Sequence, residues 1–288
     1  MIRPARPDDA PALAAFLGRS EASSMFSLAA LHRGDLTEPE TTPAHCHALH
    51  GWISEGSQGI IGFLGLSGAG FLMPQAPGAD WPAFRPHLAG WQVAAVLGPK
   101  GQPHSLLEAL GLGAAPRRRD CVETGFTLRL DALILPDVTG CESVPLTAER
   151  ADLVIRWRAA FMTEISGLPA DEAQPRAVAD IARWVAADSH RLLLHSGQPV
   201  ALSGFNARLP QVVQVGGVYT PPGLRGRGYA RRAVALHLAE ARAAGALRAT
   251  LFAVSDVAAS AYRAIGFRQA GLMQQVDFVT AQRVPPCP

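Results

Sequence analysis

Val218-Tyr219-Thr220-Pro221-Pro222-Gly223-Leu224-Arg225-Gly226-Arg227-Gly228-Tyr229-Ala230 is the stretch on which the fold of this chain turns. It reads as a buried strand, a sharp bend and a glycine-rich, doubly basic turn that opens directly into a helix. Gly226 and Gly228 lack a Cβ, so their backbone N–H groups can come close to an anion. A helix starting near Tyr229 would present its unpaired N–H groups and positive dipole end to the same anion. Arg225 and Arg227 add charge there, and the whole reads as a cradle for a pyrophosphate. The P-loop pattern and the dinucleotide fingerprint G-x-G-x-x-G are both missing. The plainer alternative is a glycine-containing turn before an arginine-rich surface helix.

The flanks extend the pattern. Ala230, Ala233, Val234, Leu238 and Ala241 recur at helical spacing, so the helix is predicted from Gly228 to about Ala244, with Gly245 as its stop. Ala246–Val254 then reads as a strand with partial alternation. Ser255-Asp256 supplies a cap for a short helix ending at Ile265-Gly266-Phe267. The order is strand, phosphate loop, helix, strand, short helix, strand.

Arg225-Gly226-Arg227-Gly228-Tyr229-Ala230 fits Arg/Gln-x-x-Gly-x-Gly/Ala and resembles the acyl-coenzyme A loop of the GNAT superfamily of acyltransferases. Ala261-Tyr262-Arg263-Ala264-Ile265-Gly266-Phe267 is similar to a second family pattern, a Tyr, three variable residues and Gly-Phe. The resemblance spans roughly Val200 to Phe278, with weaker similarity back to about Glu142. It implies an α/β (α+β) fold with a mixed, mostly antiparallel sheet flanked by helices.

With 288 residues, two compact units are expected. Leu135-Pro136-Asp137-Val138-Thr139-Gly140 is a turn-rich break after the strand-like Phe126–Leu130, which divides the chain into 1–137 and 142–288. In the first half, Ile2-Arg3-Pro4 reads as a strand, Asp8-Asp9 as an acidic cap and Ala10–Leu17 as a helix. Trp91–Pro99 reads as a later strand, and Leu106–Leu112 loosely echoes the second half's helix and glycine. GNAT domains often open this way, but nothing here matches Arg225–Gly228. This half is read as a degenerate GNAT-like domain without a coenzyme loop, with an unrelated α+β domain as the alternative.

Composition excludes several classes. Hydrophobic residues make up 48% and charged residues 17%, as in a globular protein. The net charge of +2 is far from a nucleic-acid binder's basic excess, and Lys100 is the sole lysine. Arg117-Arg118-Arg119 is expected in a solvated loop. No apolar run reaches membrane-spanning length and no signal-peptide region opens the chain, so a cytoplasmic protein is expected; the sequence leaves its assembly open between monomer and homodimer. Cys46, Cys121, Cys141 and Cys287 form no C-x-x-C pair. His45, Cys46, His47 and His50 are ligand types within six positions, but no second ligand pair accompanies them, so no metal is expected.

The resemblance implies acetyl transfer, or transfer of another short acyl group, from coenzyme A to a primary amine of a small molecule or peptide. Val218 and Thr220 would offer backbone to the pantetheine arm and thioester. The Val218 amide is the candidate to polarise the carbonyl, with Tyr219 on the opposite face by strand alternation. Arg225, Gly226, Arg227, Gly228, Tyr229 and Ala230 would hold the phosphates. Tyr262 matches the tyrosine that protonates the leaving thiolate in many relatives; simple packing between helix and sheet is its alternative. Many relatives place an asparagine where this chain has Ser255 and Asp256, and Ser255 is the candidate substitute on the pantetheine. Some relatives carry a catalytic glutamate on the strand before the loop, yet Gln211–Gly217 contains no acid. Glu164 is the nearest alternative base, against the plainer reading of a solvated helix carboxylate. His190 and His195 are weaker candidates. A non-catalytic acyl-coenzyme A sensor is the competing function. The five tryptophans, Trp52, Trp81, Trp91, Trp157 and Trp184, lie outside the coenzyme segment and default to the core.

Overall fold

The computed structural model describes residues 1–39 and 48–287. The elements of the first half are β1 (Ile2–Pro4), α1 (Ala10–Gly18), α2 (Glu21–Arg33), β2 (Leu49–Gly56), β3 (Gly59–Ser67), β4 (Phe71–Gln75), α3 (Arg85–Leu88), β5 (Gln92–Pro99), α4 (Gln102–Ala109) and β6 (Arg117–Arg129). Then follow β7 (Cys141–Pro145), α5 (Ala151–Ser166), α6 (Ala170–Ala186), β8 (His190–His195), β9 (Gln198–Arg208), β10 (Val212–Tyr219), α7 (Tyr229–Ala243), β11 (Arg248–Ala253), α8 (Asp256–Arg263) and β12 (Arg268–Arg283). None of the helices among the described residues is long and apolar enough to cross a membrane.

Two compact units are built from this chain, Met1–Glu123 with Gly271–Pro288, and Thr124–Ala270. In the first, β1 pairs antiparallel with β2, β2 with β3 and β3 with β4; β4 pairs parallel with β5, and β5 antiparallel with β12. In the second, β7 pairs antiparallel with β8, β8 with β9 and β9 with β10; β10 pairs parallel with β11, and β11 antiparallel with β6. The same order and sense of pairing therefore occurs twice. Two helices follow the first strand of each unit, one lies in each parallel crossover, and one follows the fifth strand. The first unit thus repeats the mixed, mostly antiparallel sheet and flanking helices of the second. Its crossover helix α3 has only four residues, whereas α7 has fifteen, so the crossover of the first unit offers no comparable helix N-terminus for an anion.

Each unit completes its sheet with a strand from the other half of the chain. Val276 and Phe278 of β12 are buried with Trp52, Leu64, Val96 and Leu106, and Phe126 and Leu128 of β6 are buried with Val234, Leu238, Leu251 and Ile265. Each such side chain contributes about 1.5–3 kcal/mol by leaving water, enough to hold an added strand. The compact units therefore differ from the linear division at residues 137 and 142. We propose 1–137 and 142–288 as the repeats of the sequence, which exchange their closing strands.

Local readings held closely over the second unit. α7 buries Ala233, Val234, Leu238 and Ala241, and Gly245 at φ +97° ends the run. The strand expected over Ala246–Val254 is β11, shorter at both ends. Two expectations are corrected. Arg117–Arg119 open β6 rather than sit in a loop: Arg117 donates to Asp120 and to Gly113 O, and Arg119 pairs with Glu123, both side chains mostly buried. Asp120 and Glu123 thus offset two of the three charges of a run that looked solvated, and Arg118 donates to Val279 O at 3.1 Å. The cap of α8 is Ser255, whose Oγ accepts from Ala258 N at 3.3 Å; Asp256 is already helical.

Candidate coenzyme and acyl-transfer site

The site begins where two parallel strands part. Among the described residues the β10–β11 ladder ends with Gln214 opposite Thr250, although β10 runs on to Tyr219 and β11 to Ala253. On the other side β10 remains paired to β9, with a register shift between Gly216 and Tyr219 where Gly217 takes φ +63°. A bulge of this kind turns backbone groups out of the ladder. One edge of Val215–Tyr219 is thereby left without a strand partner. Val218 packs against the cluster of α7, α8 and β11, whereas Tyr219 is buried among α5 and α6 side chains, 6.2 Å from Trp157 and 6.3 Å from Phe161. The alternation expected of these two residues is present.

Beyond Thr220 a single turn over Pro222–Leu224 leads into the loop. Gly226 and Gly228 adopt φ +78° and +75°, left-handed conformations that glycine enters without a Cβ penalty. Gly228 is the N-cap of α7, which has no side-chain cap among the described residues. The first amide to reach a helical carbonyl is that of Arg232, bonded to Gly228 O at 3.1 Å. The helical ladder therefore leaves the amides of the first turn facing the loop. Tyr229 is buried, its hydroxyl 3.4 Å from His195 Nδ1, so its side chain points away from that concavity. Ala230 is half-buried one position on.

The arginines divide the work. Arg225 forms a bidentate pair with Glu164, both bonds 2.7 Å, donates from Nε to Thr220 O at 2.9 Å and lies 5.7 Å from the Tyr219 ring centre. Arg232 ties down the loop by donating to Arg227 O and Asp137 O. Arg227 is exposed at the tip.

Glu164 of α5 thus has a defined partner in the loop, Arg225. The Arg225 guanidinium, by hydrogen bonding first and charge second, holds its carboxyl below the ordinary glutamate range. Such a carboxylate is a weak proton acceptor. Tyr262 of α8 is 8% exposed, edge-on to Phe267 with ring centres 6.0 Å apart, in the cluster against which Val218 packs. Ser255 lies at the start of the same helix, its hydroxyl engaged as the cap. Thr220 Oγ1 is buried without a partner among the described residues.

His190, one of the two weaker base candidates of the sequence, is a buried polar group on the α5–α6 face. His190 is 1% exposed and stacks on Trp184 with ring centres 3.6 Å apart; Trp184 in turn carries the Arg158 guanidinium at 4.9 Å. A Cβ on Gly204 would overlap the His190 ring, and one on Gly217 would lie 2.8 Å from Nε2. The glycines of β9 and of the bulge therefore make room for the imidazole. Burial holds it well below the ordinary histidine range, so it is neutral. His195 lies at the far end of β8 beside Tyr229. The glycine pattern, Gly204 with Gly216-Gly217, was the one available signal.

His45, Cys46 and His47 lie outside the described residues; His50 is buried, Nδ1 3.2 Å from Thr37 Oγ1. Among the described residues no group of three or more His, Cys, Asp or Glu side chains is arranged to hold a metal.

Comparisons with known proteins agree with this geometry. Residues 154–267 match the family model described as Acetyltransferase (GNAT) family. A GNAT-family acetyltransferase from Colwellia psychrerythraea is 15% identical with a TM-score of 0.53, over 96% of this chain and 99% of that one. A Drosophila protein reaches 0.62 at 14% identity, over 96% and 98%. A GCN5-related N-acetyltransferase from Sphaerobacter thermophilus gives 0.52 at 16% identity, over 100% and 96%. No curated protein matches the chain in sequence. The parted parallel ladder, the bulge and the glycine loop at the start of α7 all lie within residues 154–267, the part of the chain that matches the GNAT-family model. The chain's similarity to the solved acetyltransferases is one of fold.

Proposed function

We propose that this protein transfers an acetyl or other short acyl group from coenzyme A to a primary amine of a small molecule or peptide, by direct attack on the thioester in a ternary complex. The observation that carries this reading is the opening of β10 from β11 after Gln214 and Thr250, directly before the bulge and the glycine loop. An extended pantetheine arm fits such an edge because unpaired strand groups need partners. The amides around Gly226–Ala230, with the α7 dipole, suit the pyrophosphate, and Arg227 supplies charge at the tip. The Arg225–Glu164 pair gives those two residues a positioning role, fastening the loop to α5. The Val218 amide is our candidate to stabilise the oxyanion, and Tyr262 the acid for the departing thiolate.

A second reading, a non-catalytic acyl-coenzyme A sensor, is favoured by one observation: the candidate base, Glu164, is engaged by Arg225 of the loop. Coenzyme release with a panel of amines separates the two, since a sensor binds acetyl-coenzyme A and releases thiol with none of them. Tyr262→Phe tests the mechanism. The expected result is a fall in kcat of about 10²- to 10⁴-fold with unchanged coenzyme affinity. Unchanged turnover removes Tyr262 from the chemistry.

A further inference from the structure

The vertex of the parted strands carries buried polar atoms that the fold leaves unpaired. Gln214 and Thr250 are the last residues of the β10–β11 ladder, and Gln214 Oε1 and Thr250 Oγ1 are both buried without a hydrogen-bond partner among the described residues. Their neighbours Val213, Val215, Ala249 and Leu251 pack into the α7–α8 cluster, so alternation puts Gln214 and Thr250 on the opposite face, with Trp184 and Tyr219. His190 Nε2 is the third such atom on that face. His190 pairs with Gly204 and Gly204 with Gly216, so its ring reaches across β9 to the bulge, about two residues or roughly 6–7 Å along β10 from Gln214.

These atoms want one kind of partner. In the tautomer that donates Nδ1–H to Ser189 Oγ at 2.9 Å, with Ser189 Oγ donating on to Trp184 O at 3.5 Å, the lone pair is on Nε2. Gln214 Oε1 is an acceptor, and a threonine hydroxyl accepts as well as donates. Leaving buried polar atoms unmet costs stability, and such atoms cluster where a ligand later satisfies them. Resting on the acyltransferase reading, we propose that Gln214 Oε1, Thr250 Oγ1 and His190 Nε2 form the subsite that receives the N–H groups of the acceptor, an unprotonated primary amine held by neutral hydrogen-bond acceptors.

The selectivity follows. An unprotonated primary amine offers two N–H donors and a lone pair for attack, whereas an unprotonated tertiary amine offers no donor, so at a pH above the amine's pKa tertiary analogues of a good substrate should fail to inhibit. Among the described residues no carboxylate bonds to these three atoms, so the group selects by N–H donation and not by charge.

The experiment combines binding and turnover on the full chain. Thr250→Val and Gln214→Leu are each expected to raise the KM for the amine roughly 3- to 10-fold, the loss of one hydrogen bond, with acetyl-coenzyme A affinity within about twofold of the parent. His190→Phe, which keeps an aromatic ring on Trp184, should act the same way. The melting temperature of Thr250→Val should equal or exceed the parent's, since an unmet buried hydroxyl has gone; a merely structural threonine would show the reverse. An unchanged amine KM in the folded Gln214→Leu/Thr250→Val double variant overturns the proposal. If the parent binds acetyl-coenzyme A but acylates no amine, the acyltransferase reading fails. The subsite is then judged by calorimetry of primary amines added to the coenzyme A complex, where absence of binding, or equal binding by the double variant, overturns it.

Discussion

Replacing Gly228 by alanine separates the backbone's need for glycine from the ligand's need. Gly228 sits at φ +75°, and an added Cβ would meet nothing nearer than Arg231 Nη2 at 3.6 Å and Arg232 Nη1 at 3.8 Å. Both are ordinary van der Waals contacts, so no clash is expected, and the stability cost is that of a left-handed alanine, about 1–2 kcal/mol. For a unit of this size that lowers the melting temperature by about 2–8 °C. Binding should suffer more. The new methyl projects at the first turn of α7, where the amides are to approach a phosphate. Losing one hydrogen bond to a charged oxygen costs about 1.5–3 kcal/mol, or roughly 10- to 150-fold in acetyl-coenzyme A affinity. Gly245→Ala is the control, because Gly245 has φ +97° and open space but lies at the other end of α7. It should lower the melting temperature without altering coenzyme affinity. Calorimetric titration with acetyl-coenzyme A and thermal melting read both effects. A Gly228→Ala protein that binds within twofold of the parent refutes the main-chain cradle.

Two further outcomes follow from the electrostatics. Glu164 and Arg225 are 39% and 44% exposed, so Glu164→Gln should cost less than about 1 kcal/mol in a melting experiment. Because Glu164 titrates below its ordinary range, the pair's contribution is complete above that range and lost as pH falls through the lowered value. The kcat/KM profile between pH 6 and 9 should therefore keep its shape in the variant; loss of an acidic limb with a hundredfold fall in kcat would restore Glu164 as the base. His237 of α7 is buried against Phe205 and pushed down to about 3 by burial first and by Arg191 and Arg208 second. An unfolded chain protonates this histidine near 6.5 and the folded one does not, so stability is full above that value and falls as pH drops toward 3, by about 1.4 kcal/mol per pH unit for this one group. His237→Phe should flatten the slope of unfolding free energy against pH between 6 and 4 by about one proton; an unchanged slope contradicts the burial argument.

The second unit was legible in the sequence where its signals are local. Gly226 and Gly228, the apolar repeat of α7, Gly245 and the Ser255 cap are each fixed by residues within a turn or two, and the helix and strand fall within about two residues of expectation. The roles given to Val218, Thr220 and Tyr262 came from likeness to a family, and the structure adds only that Val218 and Tyr262 share one cluster.

By itself the chain determined a phosphate-type loop at the head of a long helix, because glycine backbone freedom and helical periodicity are properties of short segments. Only the tertiary structure decided that β6 and β12 change places between the halves, that Arg225 meets Glu164 sixty-one positions away, and that His190, Gln214 and Thr250 share a face at the parting of two strands. Those outcomes depend on strand register and on which distant segments pair. A one-residue slip in register would reverse every face, and no local pattern encodes it.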